Sequence, residues 1–311
     1  MTTSAMKVII PIPIGNAEFV SSTVIENDHP GWSNVTNYAI GNRVISTTTH
    51  RKYEAVAASG PGSGGAVDPT GSGAIGKWID VGPTNRWAMF DEAIATVTTE
   101  ADSIVVVLKP GKVTPALVII GAAAATWAVS VTDQGGVGPN TQTFSGAFDT
   151  SYVDGWDEYM TAPVVFNSDL VLTGLPLFSD PQITITLART GDTVGVSALI
   201  VGGLVEIGAP MYGLTMGIQD YSRKETDAFG ATTLVQRAFS RKVEVRLQCD
   251  AITLNSVYGM LSTLRATPVV WVPVDQAGRE ATIVYGWYRD FSVDLAGPRH
   301  FFCTLQLEGL T

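Results

Sequence analysis

Charge is what this sequence has least of. Charged residues fill 15% of the 311 positions, against roughly 25% in an average soluble domain. A surface with few ions to strip of water favours burial against other subunits. The basic side is the thinner one, with 19 Lys and Arg against 29 Asp and Glu and a formal net charge of −10. The densest basic pairs, Arg223-Lys224 and Arg241-Lys242, are interrupted by acids. No phosphate-tracking stripe results, and nucleic acid is not an expected partner. Histidines number three and cysteines two, without metal-ligand spacing. Cys249 shares strand parity with Val243, Val245 and Leu247, and Cys303 with Phe301, Leu305 and Leu307. Two buried free thiols are therefore expected, with a single disulfide as the alternative.

Long apolar runs are missing too. The most apolar stretch, Ala116 to Val129, falls short of the ~20 residues that span a bilayer and is broken by Gly121 and Thr126. It reads as one or two buried strands, and no membrane span is expected. Lys7 precedes an apolar segment, but Pro11 and Pro13 break it and no small-residue cleavage site follows, so no secretory signal is visible. Val8, Ile10, Ile12 and Ile14 alternate instead, as in a strand.

The residues of catalysis are equally sparse. No Ser stands in a G-x-S-x-G elbow, and of His29, His50 and His300 the first precedes Pro30 in a turn-like stretch. Carboxylates pair as Asp154 with Asp157 and Glu158, and as Asp91 with Glu92, in loop-like surroundings. Two G-x-G-x-x-G matches begin at Gly60 and Gly71, but Pro69 lies between them and Trp78 follows with no helical pattern. They read as loop, because a dinucleotide site needs a strand before the glycines and a helix after them. The expectation is a protein with no catalytic residue, no metal and no cofactor, and not an enzyme.

What the chain does have is Gly, Thr, Ser and Ala between short apolar runs. Residues 1–25 form an arm with one strand, and residues 26–83 a small aromatic-studded module. Residues 84–210 read as a jelly-roll-like β-sandwich. Strands are expected at Ile104–Leu108, Ala116–Ile120, Ala128–Thr132, Val164–Phe166, Ile183–Leu187 and Ala198–Val201. Turns fall at Gly135-Gly136, Gly138-Pro139, Ser179-Asp180-Pro181 and Gly191-Asp192. Residues 211–311 read as a β-sandwich with one α-helix. Its strands are expected within Leu234–Gln248 and at Val269–Val274, Thr282–Tyr288 and Phe301–Leu307. The helix is capped by Thr253 or Asn255 and stopped by Pro268, with Val257, Leu261 and Leu264 on one face. The fold class is mainly all-β.

The module carries the functional signal. It begins at Trp32, continues as Tyr38-x-x-Gly41-x-x-Val44 and Tyr53-x-Ala55, and closes with Trp78 before Val81-Gly82. So short a segment is not expected to bury several large rings completely. This order resembles the small chitin- and cellulose-binding modules of secreted glycoside hydrolases, over about fifty residues of the chain. It departs from them in the long loop Ser59–Gly76 and in Arg51-Lys52 beside Tyr53. The resemblance implies a carbohydrate contact at Trp32, Tyr38, Tyr53 and Trp78, with Tyr38 and Tyr53 exposed if the tryptophans build the core.

Similar modules occur in bacteriophage tail and baseplate proteins. The segment Thr84-Asn85-Arg86-Trp87-Ala88-Met89-Phe90-Asp91 looks like phage virion sequence. So does Asp220 to Gly230 leading to Val235-Gln236-Arg237. The C-terminal order of elements is similar to tail-tube and distal-tail domains, which form rings. The resemblance implies a structural component of a phage tail tip or baseplate, made in the host cytoplasm and resident in the virion tail. Its partners would be copies of itself, other tail proteins and a host cell-surface glycan. The alternative is a cellular glycan-binding accessory protein of a polysaccharide-degrading system, against which the missing secretion signal counts. A catalytic β-sandwich lyase or hydrolase is disfavoured by the poor acid/base inventory.

Overall fold

The structure is a computed structural model. It describes residues 5–63, 65–135, 140–148, 155–161, 168–226, 229–230, 232–276, 278–295 and 297–311. The chain is mostly β, with 51% of residues in strands and 8% in helices. It enters through β1 (Lys7–Pro11) and β2 (Phe19–Ser22). The small module follows as β3 (Arg43–Ser46), β4 (Arg51–Ala55) and β5 (Trp78–Pro83), one three-stranded antiparallel sheet. The central region holds β6 (Thr98–Leu108), β7 (Ala116–Ile120), β8 (Thr126–Asp133), β9 (Thr141–Ala147), the short helix α1 (Trp156–Thr161), β10 (Leu170–Thr173), β11 (Pro181–Val196) and β12 (Ala198–Glu206). The last third contains β13 (Ala209–Pro210), β14 (Thr215–Asp220), β15 (Arg223–Thr226), β16 (Thr232–Val235), β17 (Phe239–Asp250), α2 (Leu254–Thr263), β18 (Val269–Val272), β19 (Val284–Asp294) and β20 (His300–Gly309).

Two sheets make the body. One has the order β2-β6-β11-β8-β9; the other runs β10-β7-β12-β1-β18-β19-β20-β17, with β13 and β14 both pairing to β17. The N-terminal strand therefore sits between the central and C-terminal regions, hydrogen-bonded to β12 on one side and β18 on the other. This position explains why its alternation is incomplete. Val8 packs with β17–β20 and α2, while Ile9, of opposite parity, is equally buried against Val118, Ile200 and Val270. The large sheet curls so that this second face closes on itself, and its middle strands are apolar on both sides. β7 and β18 accordingly read as unbroken apolar runs, and every residue of both is buried.

Between the two sheets lies the central core, built from alternate residues such as Ile183, Ile185 and Leu187 of β11 facing Leu117 and Ile119 of β7. The turn expected at Gly191-Asp192 is instead a bulge inside β11. Pairing to β6 resumes after a register shift between Ala188 and Thr193. Gly191 takes a left-handed conformation (φ 79°) and its N–H donates to Asp102 across the strand at 2.7 Å. The extra residues are thus extruded without ending the ladder. The strand expected at Val164–Phe166 and the turn residues Gly136, Gly138 and Pro139 lie outside the described residues.

Val257, Leu261 and Leu264 are buried on the C-terminal sheet, as their spacing requires. The buried Tyr288 hydroxyl donates to the Leu261 carbonyl at 2.7 Å and ties α2 to β19. Neither proposed cap closes the helix. Thr253 turns its hydroxyl back to the Asp250 carbonyl, and Asn255 lies inside the first turn.

Candidate functional site

The three module strands bring Tyr38, Val44, Tyr53, Ala55 and Trp78 into one small core, against which Trp32, Val67 and Ala74 pack. Tyr38 and Trp78 meet edge to face at 5.2 Å. The Tyr38 hydroxyl accepts the Ser33 N–H at 2.8 Å, the Trp78 indole donates to the Val67 carbonyl at 2.8 Å, and the Tyr53 and Thr49 hydroxyls share a 3.1 Å bond. The Gly-rich loop is therefore the lid of this core. Ser59, wholly buried, accepts the Val67 N–H, and a side chain at Gly60 would collide with Asn37.

The four residues implied as carbohydrate contacts are thus together, but their exposure differs from the expectation. Tyr38, Tyr53 and Trp78 are only 8%, 8% and 6% exposed. The rings are the largest side chains on the inner face of the three-stranded sheet, and with Val44 and Ala55 they form its core, while Ile40, Ile75 and Ile79 stay exposed. Trp32 alone is half-buried, with its indole nitrogen shielded and unbonded. Of the four, only Trp32 offers a face to a ligand. The cations beside Tyr53 are neutralised, Arg51 by Asp80 and Lys52 by Asp28.

The segment after the module supplies its seat, a role that sequence reasoning missed. Trp87 stacks on His50 of the module, ring centroids 3.9 Å apart, and touches Phe19 and Phe90 of the body. His50 Nδ1 faces the buried Glu26 carboxylate at 3.0 Å, while its other nitrogen meets Asn16 at 2.7 Å. The Thr84 hydroxyl donates to Glu26, the Asn85 N–H to Asp28, and Arg86 to the Val24 carbonyl. The module is held by aromatic packing and several directed bonds, so it is fixed to the sandwich. The only sequence signal was the concentration of polar and aromatic residues in Thr84–Asp91.

A second clamp joins the central and C-terminal regions. Asp169, 3% exposed, accepts from Arg241 of β17 at 2.5 Å and from the Gly121 N–H at 3.1 Å. The pair borders a hollow of about 230 Å³ that also reaches Phe239 and Tyr285. Burial pushes the Tyr285 phenol up to about 12, with Glu92 and Asp91 adding to the shift. The two thiols are free and buried. Desolvation raises Cys249 to about 11 and Cys303 to about 12, which leaves both protonated and unreactive at neutral pH.

Of the histidines, His50 serves the seat and His300 pairs with Asp250 at 3.2 Å. The Asp91 carboxylate accepts from Thr96 and caps Ala93, a structural assignment. Asp154 and the side chain of Glu158 lie outside what the structure describes. Among the described residues no group of three or more His, Cys, Asp or Glu is placed to hold a metal ion, and no helix is long and apolar enough to cross a membrane.

In the other segment singled out by sequence, Asp220 to Arg237, the described residues continue the antiparallel pairing of β14 with β17 into that of β15 with β16. Every residue of β15 and β16 is exposed, including Leu234. No protein-family model, curated protein or solved structure matches the chain.

Proposed function

We propose that this chain is a structural component of a bacteriophage tail tip or baseplate, assembled in a ring, with the small module turned outward toward a host-surface glycan. The observation that carries the reading is the exposure of apolar side chains on β14, β16 and the start of β17: Met216, Ile218, Leu234 and Phe239 stand in water in a single chain, and large exposed apolar surface marks contacts with other subunits. The seated module supports the reading as well, since a receptor-facing element must transmit contact to the body. The glycan contact is assigned to Trp32, with Tyr38, Tyr53 and Trp78 shaping the support beneath it. The protein is made in the host cytoplasm and resides in the virion.

The test is direct. Particles induced from a host that carries the gene are purified and probed by mass spectrometry and electron microscopy with an antibody against this chain. The expected result is label at the tail end distal to the head, in a fixed copy number. Intact particles free of the chain would overturn the phage reading. The glycan contact is checked on the full chain by titration with chitin and β-glucan oligosaccharides. One half-buried ring should bind weakly, in the high micromolar to millimolar range or about −4 to −6 kcal/mol, and Trp32→Ala should abolish the shift. No spectral shift at tens of millimolar sugar leaves the module a scaffold.

A further inference from the structure

The hollow beside the Asp169–Arg241 clamp lies where three stretches of chain meet. Ile94 comes from the segment after the module's seat, Ile120 from the central region, and Ile283 and Leu310 from the C-terminal sheet. Its wall is therefore largely aliphatic. Concave sites at such junctions, apolar with a few polar groups, are where small molecules bind.

Tyr285 supplies the first polar group. It lines the hollow and is 6% exposed, yet its hydroxyl makes no hydrogen bond among the described residues. The side-chain atoms that are both sealed from solvent and unbonded are the indole nitrogens of Trp32 and Trp87. The Tyr285 oxygen is not sealed, so it is the end of the ring that opens into the hollow. Asp91 and Glu92, which precede Ile94 in the chain, act on that oxygen. A hydroxyl on an otherwise buried ring loses part of its hydration and here gains no protein partner in return.

Arg241 supplies the second. Its Nη1 is held by Asp169 at 2.5 Å and by the Ile283 carbonyl at 3.2 Å. Those two bonds fix the guanidinium plane. Nε and Nη2 make no bond among the described residues, and the side chain is 38% exposed. The site therefore offers fixed donors and asks for an acceptor. It does not ask for an anion, because Asp169 already matches Arg241 while Asp91 and Glu92 add negative potential at Tyr285. An ion brought here would lose its water without a net charge to meet. Size sets the last limit. The hollow holds about 230 Å³, and a cavity of roughly 150 Å³ takes up benzene, so one ring with a short polar substituent fits.

We infer that this hollow binds a small uncharged molecule with one apolar ring and one carbonyl. The carbonyl accepts from Tyr285 and Arg241, and the ring lies on the Ile94, Ile120 and Ile283 wall. A ligand held by all three stretches strengthens their junction, so the chain's heat stability rises with ligand concentration. The site is separate from the module and does not rest on the assembly reading.

The test uses the full chain at neutral pH and three probes of one shape: benzamide, benzoate and benzamidine. Binding is followed by ligand-observed NMR and by thermal unfolding. Benzamide is expected to bind in roughly the 0.1–10 mM range and to raise the unfolding temperature. Benzoate carries the unwanted charge, and benzamidine is a cation with no acceptor, so each should bind at least fivefold more weakly. Tyr285→Phe keeps the ring and removes the hydroxyl. Without ligand it should unfold at no lower temperature than the native chain, and benzamide should bind it at least fivefold more weakly. No benzamide binding to the native chain overturns the inference. So does a charged probe that binds as tightly as benzamide, or a Tyr285→Phe chain that binds benzamide as the native one does. A Tyr285→Phe chain that is itself destabilised would show that the hydroxyl is matched within the protein, and the site as argued would fall.

Discussion

The module and the hairpin arm of β14 to β17 are both rich in large apolar side chains, and they use them in opposite ways. In the module Tyr38, Tyr53 and Trp78 turn inward with Val44 and Ala55, because the glycine loop covers that face of the three short strands. In the arm Ile218 and Leu234 point into solvent, because two strands without a covering layer have no inside. Aromatic or aliphatic enrichment therefore does not distinguish a core from a contact surface. What separates them is whether the chain supplies a second layer. Tyr38 and Tyr53, the rings expected outside if the tryptophans built the core, are inside it, Trp32 keeps part of its surface in water, and the hairpin of β14 to β17 holds the larger exposed apolar surface.

The strongest way to break the comparison is to open the module's core. Trp78→Ala removes the ring that meets Tyr38 and the indole bond to Val67. It should cost the module about 3–5 kcal/mol, a large share of what so small a unit can hold. Amide exchange in the full chain should rise across β3–β5 while β17–β20 stay protected. Unchanged protection of β3–β5 would show that Trp78 is a surface ring and that the inward reading is wrong.

Next in size is the helix that gives the C-terminal sheet its cover, the element the arm lacks. Leu261 is wholly buried between α2 and the sheet. Leu261→Ala should lower stability by about 2–5 kcal/mol in denaturant unfolding, depending on how far the site collapses. A loss below about 0.5 kcal/mol would mean that the helix does not rest on the sheet.

Much of the body was legible because its signals are local. The run Ala116–Ile120 is a strand with those bounds, and the i, i+4, i+7 spacing of Val257, Leu261 and Leu264 marks the buried face of α2. The parity of Cys249 and Cys303 placed both thiols inside. What escaped was set by distant partners. Ile9 is buried because β12 and β18 flank it, and they follow it far along the chain. Trp87 and His50 stack, and Glu26 meets His50, through contacts that no periodicity announces. The Gly191 bulge reads as a turn until Asp102 is seen to receive its N–H.

The smallest expected effect sharpens the comparison most. Ile218→Asp and Leu234→Asp replace large apolar side chains in strands, as Trp78→Ala does, yet they should change the stability of the dilute chain by no more than about 0.5 kcal/mol. The reason is that these two residues are already 69% and 77% exposed, so the folded state loses little burial when they become polar. Leu234 stands opposite Lys224 in the ladder, and Ile218 opposite Arg241. A new carboxylate at position 234 faces the Lys224 cation, which opposes any loss of strand propensity there, whereas Arg241 is already held by Asp169. The measurement is urea unfolding at a concentration low enough to keep the chain monomeric, followed by fluorescence and by circular dichroism. A loss above 2 kcal/mol for either variant would show that the arm folds back onto its own body and is buried there. The arm and the module would then follow one rule, and the contrast between them would disappear.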